Sequence, residues 1–168
     1  RMLQLSETFP TLDCSQCVLS PKMVEVKRHP KVKLMTYSEV QEVAGSVGNF
    51  RVKVHKRSTF VDPDKCKLCD HCTDVCPVVV PDEFQMGLSS RKAIHIPFPQ
   101  AVPCSYILDM EHCLGNNPIA CGKCADACDK RAIDYDDADE IVVREVGAII
   151  VAIGLDVYDP TEMDEYGY

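Results

Sequence analysis

The chemistry of this chain centres on cysteine, because eight of its eleven cysteines fall in two tight groups. The first group runs from Cys66 through Cys69 and Cys72 to Cys76, which a proline follows. In proteins with two iron-sulfur clusters, this spacing wraps three thiolates around one 4Fe-4S cube and directs the fourth to the other cube. The first group therefore predicts a metal site that two parts of the chain share.

The second group has a longer gap between its first two cysteines and is followed by aspartate instead of proline. The Gly, Asn and Pro residues in that gap predict a looped insertion over 114–120. With the insertion set aside, the remaining spacing repeats that of the first group. We predict that one cluster binds Cys66, Cys69, Cys72 and Cys128, and that the other binds Cys113, Cys121, Cys124 and Cys76.

Cys104 competes with Cys113 as the first ligand of the second group, but a candidate strand separates it from that group. We expect Cys104 to be an ordinary buried cysteine, since free cysteine is a common core residue. His71 and His112 adjoin cysteines of the two groups, and histidine can also ligate iron. Because eight cysteines already complete two cubes, we expect a surface or hydrogen-bonding role for both histidines.

Two features leave alternatives open. A structural zinc site also uses Cys-x-x-Cys pairs, although it needs only four ligands in total. The pair Cys14-Ser-Gln-Cys17 has three alternative roles: ligation of a further cluster completed elsewhere, a redox dithiol near a flavin, or plain packing. No nucleophile and base stand in a recognisable catalytic arrangement, so the sequence does not indicate a hydrolytic enzyme.

Charge is unevenly distributed along the chain, whose formal net charge is -8. Residues 1–57 carry ten Lys or Arg against five Asp or Glu, whereas 58–168 carry eight against twenty-one. The acidic part disfavours a phosphate backbone and suits a basic redox partner, so we expect no binding to nucleic acid. The longest apolar run, Val146–Leu155, is about half the length that a membrane-spanning helix needs, so we expect no membrane span.

The elements before the cysteines are one helix and a meander of strands. Ser20-Pro21 predicts the start of a short helix over 22–28, and His29-Pro30 predicts its end. Gly45 to Asn49 supply turn residues between two strands. Strands are expected at 32–35, 39–44 and 50–60.

The cysteine-rich part, 61–137, has short strands expected at 93–97 and 106–109. Alternation of apolar and polar residues at 140–146 then predicts another strand. The continuous apolar run at 148–152 predicts a strand that is buried on both faces. Such a strand belongs in a layered sheet, larger than a small metal module needs.

Several segments resemble the flavin-binding iron-sulfur A subunit of heterodisulfide reductase, and together they cover nearly the whole chain. The most specific are the element Thr11-Leu-Asp-Cys-Ser-Gln-Cys17 and the cysteine-rich part itself. The others are Arg1-Met-Leu-Gln-Leu5, Ser20-Pro-Lys-Met-Val-Glu-Val26, Tyr37-Ser-Glu-Val40, Cys76-Pro-Val-Val-Val-Pro81, Arg91-Lys-Ala-Ile94, Ile96 to Pro103 and Gly147-Ala-Ile-Ile-Val-Ala152.

The resemblance implies an α+β fold, in which a two-cluster bacterial ferredoxin-like module is inserted in part of a thioredoxin-reductase-like α/β flavin domain. Residues 1–57 and 138–168 would belong to the flavin domain, and 58–137 would form the insert. The family's Gly-rich phosphate loop would lie before Arg1, so FAD is expected only with the missing N-terminal half or another chain. Gly154 is then the candidate for a close backbone approach to FAD.

The resemblance also implies a function, namely electron transfer through the two clusters within a flavin-dependent, often electron-bifurcating, cytoplasmic oxidoreductase complex. Its partners would be other iron-sulfur and flavin subunits of a hetero-oligomer. The alternatives are a stand-alone ferredoxin-type electron carrier and a structural zinc module. A free carrier does not need the strand at 148–152 or the basic meander, whereas an inserted module must return to its host sheet.

Overall fold

The computed structural model describes residues 2–115, 120–156 and 158–167. Over these ranges the chain combines helices with antiparallel sheets. The helices are α1 (Ser15–Arg28), α2 (His71–Asp74) and α3 (Lys123–Asp126), with 3-10 turns at Met2–Gln4, Pro160–Glu162 and Asp164–Tyr166. The strands are β1 (Glu7–Thr8), β2 (Asp13–Cys14), β3 (Ser38–Ser46), β4 (Asn49–Lys56), β5 (Val79–Pro81), β6 (Ser90–Lys92), β7 (Ile94–His95), β8 (Ile107–Leu108) and β9 (Glu140–Val146).

Helix α1 begins at Ser15, upstream of the Ser-Pro start that the sequence predicts. Cys14 caps it, because the Cys14 Sγ accepts the backbone N–H of Cys17 at 3.2 Å. Pro21 therefore lies inside the helix, where it removes one backbone donor. The predicted end of the helix is confirmed, since His29 is its C-cap. None of the helices in the described ranges is both long and apolar enough to cross a membrane.

Strands β3, β4 and β9 form an antiparallel sheet with β4 in the centre. The hairpin between β3 and β4 turns at Val47-Gly48, within the predicted turn at 45–49. Gly45 is needed beside this turn, because its φ is 105° and an added Cβ would collide with the carbonyl oxygen of Asn49. The local sequence thus explains where this hairpin reverses.

The sequence predicts much of this sheet. The strands expected at 39–44 and 140–146 are confirmed as β3 and β9. The strand expected at 50–60 is shorter than predicted, because β4 ends at Lys56 and the chain leaves the sheet there. The strand expected at 32–35 is wrong, since these residues are irregular and pair with no other strand in the described part of the chain.

The buried strand expected at 148–152 is also wrong, because these residues are irregular and exposed. Ile150 is 92% exposed and Val151 is 74% exposed. A strand buried on both faces needs sheet neighbours and covering layers, and none of the described residues supply them. Residues 149–155 therefore form an exposed apolar segment.

The cysteine-rich part leaves the sheet at the end of β4 and returns at the start of β9, where Lys56 and Glu140 pair across the two strands. Ser58 anchors this junction, because its backbone N–H donates to Asp139 Oδ1 at 2.9 Å. The Ser58 hydroxyl also donates to Asp137 Oδ2 at 2.6 Å. Adjacent strands thus hold both ends of the cysteine-rich part.

Two small antiparallel pairs, β5–β6 and β7–β8, lie inside the cysteine-rich part. The second pair confirms the short strands expected at 93–97 and 106–109, whereas the sequence analysis did not predict the first. An isolated bridge between Val61 and Ile133 closes the part near its ends. The buried core lies here and includes three cysteines; its members are Val61, Cys72, Cys76, Ala93, Ile94, Tyr106, Leu108, Cys124 and Ala132.

Candidate metal centre

The third cysteine of each group lies at the same position in a short helix. Cys72 is the second residue of α2, and Cys124 is the second residue of α3. Each helix follows a residue with left-handed backbone conformation, Asp70 with a φ of 65° and Gly122 with a φ of 72°. The two groups therefore fold locally as copies of one another, as their shared spacing led us to expect.

The first cysteines of the two groups are also held alike. The backbone N–H of Cys66 donates to the carbonyl oxygen of Asp62 at 3.0 Å, and that of Cys113 donates to Asp109 at 3.0 Å. Cys113 thus occupies the position in its group that Cys66 occupies in the first. The competing Cys104 is exposed, so the expectation that it is buried is wrong; it lies in irregular chain between β7 and β8.

Four thiols line one small cavity of about 110 Å³. Cys66, Cys69 and Cys72 come from the first group, and the fourth, Cys128, is the last cysteine of the second group. Ile94, Tyr106 and Ile133 form part of the remaining wall. These four cysteines, here called the first set, are those that the sequence assigns to one cluster. The cluster assignment itself stays a prediction.

The remaining four cysteines of the two groups are here called the second set, and they are Cys76, Cys113, Cys121 and Cys124. Their thiols interact electrostatically. Burial raises the pKa of the Cys113 thiol above its usual value, and the neighbouring Cys76 and Cys121 raise it further. Burial likewise raises the pKa of Cys124, and Cys113 and Cys76 add to this effect. Several thiolates can share such a place only when a cation compensates their charge, and metal binding displaces their protons.

The two sets are neighbours in the core. Burial raises the pKa of Cys72 to about 12, and smaller contributions come from Cys66 of its own set and Cys124 of the other. Cys72, Cys76 and Cys124 belong to the same buried core. Redox groups held by the two sets would therefore lie close to one another.

Backbone N–H groups donate to thiols in both sets. Such donors stabilise a bound iron-sulfur cluster and tune its potential. The backbone N–H of Ala132 donates to Cys128 Sγ at 3.4 Å in the first set, and that of Gly115 donates to Cys113 Sγ at 3.3 Å in the second.

Within the described ranges, no three His, Cys, Asp or Glu side chains converge on a point where a single metal ion could sit. A 4Fe-4S cube makes a different demand, because each of its four thiolates binds a separate iron atom. The soft thiolate donors of the two sets, with the N–H groups around them, fit such a cube.

Two tyrosines that the sequence analysis did not single out face the two sets. Tyr106 lines the cavity of the first set, where its hydroxyl donates to Asp70. The hydroxyl of Tyr135 lies 3.0 Å from the Sγ of Cys124. The strand expected at 106–109 includes Tyr106 but gives it no role at the site, and no local pattern distinguishes Tyr135 from a surface tyrosine.

A partly buried ion pair supports the loop that carries Cys113. Arg91 and Asp109 lie 2.8 Å apart, and their side chains are 10% and 13% exposed. Asp109 also accepts a hydrogen bond from His112 Nδ1 at 2.8 Å, so His112 has a hydrogen-bonding role. Glu83 is the more exposed second partner of Arg91. Because the backbone of Asp109 binds Cys113, this ion pair fixes the position of the first thiol of the second set.

Cys14, Cys17 and Gly154 belong to neither set. Both cysteines are exposed at the start of α1, which does not fit the packing alternative. The thiol and backbone N–H of Cys17 donate to Cys14, which lowers the pKa of Cys14 below its usual value. Gly154 has a φ of 78° and open space where a Cβ would stand. Its approach to FAD stays a prediction.

Two further regions bear on the sequence predictions. The insertion predicted over 114–120 falls mostly on residues 116–119, which lie outside the described ranges. A cleft of about 680 Å³ lies between the sheet and the cysteine-rich part, and its wall contains no cysteine. This cleft is therefore separate from the thiol sets.

Comparison with known proteins gives relatives along the whole chain, although no family model matches it. The chain is 57% identical to the second iron-sulfur A subunit of CoB–CoM heterodisulfide reductase from Methanopyrus kandleri. It is 50% identical to the iron-sulfur A subunit of CoB–CoM heterodisulfide reductase from Methanocaldococcus jannaschii, and 49% identical to the A subunit of the H2:CoB-CoM heterodisulfide,ferredoxin reductase from Methanothermobacter thermautotrophicus. Each alignment covers 100% of this chain and 25% of the relative, so the chain spans about a quarter of the length of these relatives.

Proposed function

The chain belongs to the family of heterodisulfide reductase A subunits over the segment that it covers, and on that premise we propose that it transfers single electrons through two 4Fe-4S clusters. Clusters of this kind supply one-electron chemistry over a wide range of potentials. The first set would hold one cluster and the second set the other. The ligands would be Cys66, Cys69, Cys72 and Cys128 for one, and Cys113, Cys121, Cys124 and Cys76 for the other.

The observation that carries this proposal is the position of Cys128 in the wall that Cys66, Cys69 and Cys72 line. A single run of cysteines around one metal ion would not need a thiol from the other run. Two cubes that exchange their fourth ligands do need it. The matched hydrogen bonds of Cys66 and Cys113 support the same pseudo-symmetric arrangement.

We assign residues 58–137 to a bacterial ferredoxin-like module inserted in part of a thioredoxin-reductase-like flavin domain. The pairing of Lys56 with Glu140 supports an insertion, since it brings the two ends of this stretch onto adjacent strands. The flanking segments, 1–57 and 138–168, would belong to the host domain.

The proposed setting is a hetero-oligomeric, electron-bifurcating complex with other iron-sulfur and flavin subunits. The exposed apolar segment at 149–155 supports contact with further protein, either the remainder of the host domain or a partner subunit, because contiguous apolar surface marks protein contacts. FAD would bind only when residues beyond this chain, or another chain, supply a phosphate-binding loop. Gly154 would then allow the backbone to approach the flavin.

A reductive titration of the chain, reconstituted anaerobically with iron and sulfide, tests this function. We expect uptake of about two electrons per chain, accompanied by bleaching of a broad visible absorption. A structural zinc module would accept no electrons and show no such absorption. Uptake of one electron, with half of the iron, would contradict the two-cluster proposal.

A further inference from the structure

The two thiol sets differ in one hydrogen-bond donor. In the part of the chain that the structure describes, each set receives one backbone N–H donor, from Ala132 to Cys128 in the first set and from Gly115 to Cys113 in the second. The second set receives one further donor, because the hydroxyl of Tyr135 lies 3.0 Å from Cys124 Sγ. The first set has a tyrosine nearby as well, but the hydroxyl of Tyr106 donates to Asp70 instead of a thiol.

Tyr135 packs closely against the second set. Cys113, Cys121 and Cys124 all act on its hydroxyl electrostatically. A Cβ on Gly115 would lie 3.2 Å from Tyr135 Cε1 and 3.4 Å from Cys113 Sγ, so glycine leaves room for the ring. The phenol is therefore held against the thiols by packing as well as by the hydrogen bond.

The direction of the hydrogen bond follows from the state of the sulfur. A thiolate bound to iron carries no hydrogen, so the tyrosine O–H must donate and Cys124 must accept. A tyrosine hydroxyl ordinarily loses its proton only at about pH 10, so it keeps that proton at neutral pH. The donor is thus present throughout the physiological range.

A donor to a cluster thiolate favours the reduced cluster, because the reduced form carries one more negative charge. We propose that Tyr135, through its hydrogen bond to Cys124, makes the cluster of the second set the easier of the two to reduce. An electron that enters the module would then reside mainly on the cluster of the second set. This inference rests on the proposed function, since it requires two clusters.

The test is a potentiometric titration of the reconstituted full chain, followed by electron paramagnetic resonance. In Tyr135→Phe we expect the higher of the two midpoint potentials to fall and the lower one to stay. The expected fall is about a tenfold loss of reduced second cluster at a fixed ambient potential, or ~59 mV for one electron. In the matched control, Tyr106→Phe, the higher midpoint should stay where it is.

If Tyr135→Phe does not take up clusters, a second variant tests the same inference. Fluorotyrosine placed at position 135 keeps the ring but makes the hydroxyl a stronger donor, so the higher midpoint should rise. Unchanged midpoints in the loaded variants, or a shift of the lower midpoint alone, would overturn the inference. A wild-type chain that takes up no iron and sulfide would instead refute the proposed function, so the two failures are distinguishable.

Discussion

Cys128 lies in the wall of the same cavity as Cys66, although the two residues come from different cysteine groups. The last cysteine of the second group is therefore a neighbour of the first group, which does not line this cavity alone. Metal bound at such a place contributes directly to folding, because a site that forms only in the folded chain adds its binding free energy to the free energy of folding.

The proposed exchange of last ligands between the two clusters predicts a crossed effect of substitution. Cys128→Ala should remove the cluster of the first set, although Cys128 belongs to the second group in sequence. Cys76→Ala, the matched control, should remove the cluster of the second set. Spectroscopy of the two variants should show different surviving clusters. Loss of the cluster bound by Cys66 in Cys76→Ala, with the other intact, would contradict the exchange.

The partly buried ion pair of Arg91 and Asp109 predicts a loss of stability when one partner is removed. Arg91→Met leaves the Asp109 carboxylate without this cation, so the free energy of unfolding should fall by about 2 kcal/mol, between the values typical of exposed and of fully buried pairs. Glu83→Gln is the control, because Glu83 is exposed and should contribute less than about 1 kcal/mol. Anaerobic urea unfolding of the reconstituted chain measures both. Equal effects of the two substitutions would show that burial of the pair is unimportant.

The contact between Cys14 and Cys17 predicts an unequal reactivity. The Cys17 donors lower the pKa of Cys14 below its usual value of 9.0, so its thiolate forms at lower pH and should alkylate there. Cys17→Ala removes the thiol donor and should move the alkylation profile of Cys14 to higher pH. Peptide mapping after treatment of the cluster-loaded chain with iodoacetamide measures this, with Cys104 as an exposed reference.

Two other outcomes of this mapping are informative. A profile of Cys14 that does not move in Cys17→Ala would contradict the proposed contact. Protection of both cysteines from alkylation would favour the alternative in which the pair ligates a further cluster.

The chain alone should not retain FAD. Among the described residues, α1 is the one helix longer than four residues, and it starts at Cys14-Ser15 without a glycine-rich turn for a pyrophosphate. Gel filtration after incubation with FAD should yield protein without flavin absorption. A stoichiometric yellow complex would contradict this expectation.

The sequence predicts those features that depend on local spacing. The turn near Gly45, the strands β3 and β9, and the equivalence of the two cysteine groups all follow from residue type and period. The start of α1 could not be found in the same way, because the sulfur of Cys14 serves as an unusual cap and outweighs the Ser-Pro signal further along. The strands predicted from the apolar patterns at 32–35 and 148–152 are absent from the described structure, because a strand also needs a partner strand.

Prediction of the candidate site from the sequence is limited in the same way. Spacing predicts the two sets of four cysteines, and the structure brings Cys128 into the same cavity wall as Cys66, Cys69 and Cys72, whereas cluster binding by the eight cysteines stays a prediction. The roles of Tyr135 and Arg91 depend on contacts between distant segments, and neither residue has a distinctive neighbourhood in sequence. Cys104 was expected to be buried from the average behaviour of cysteine, which tertiary structure overrides in this chain.

Metal and sulfide analysis of the anaerobically reconstituted chain tests the central claim most directly. The account predicts about eight iron atoms and about eight acid-labile sulfides per chain, four of each for every set of thiolates. Tightly bound zinc without sulfide, or half of the predicted iron and sulfide, would contradict it.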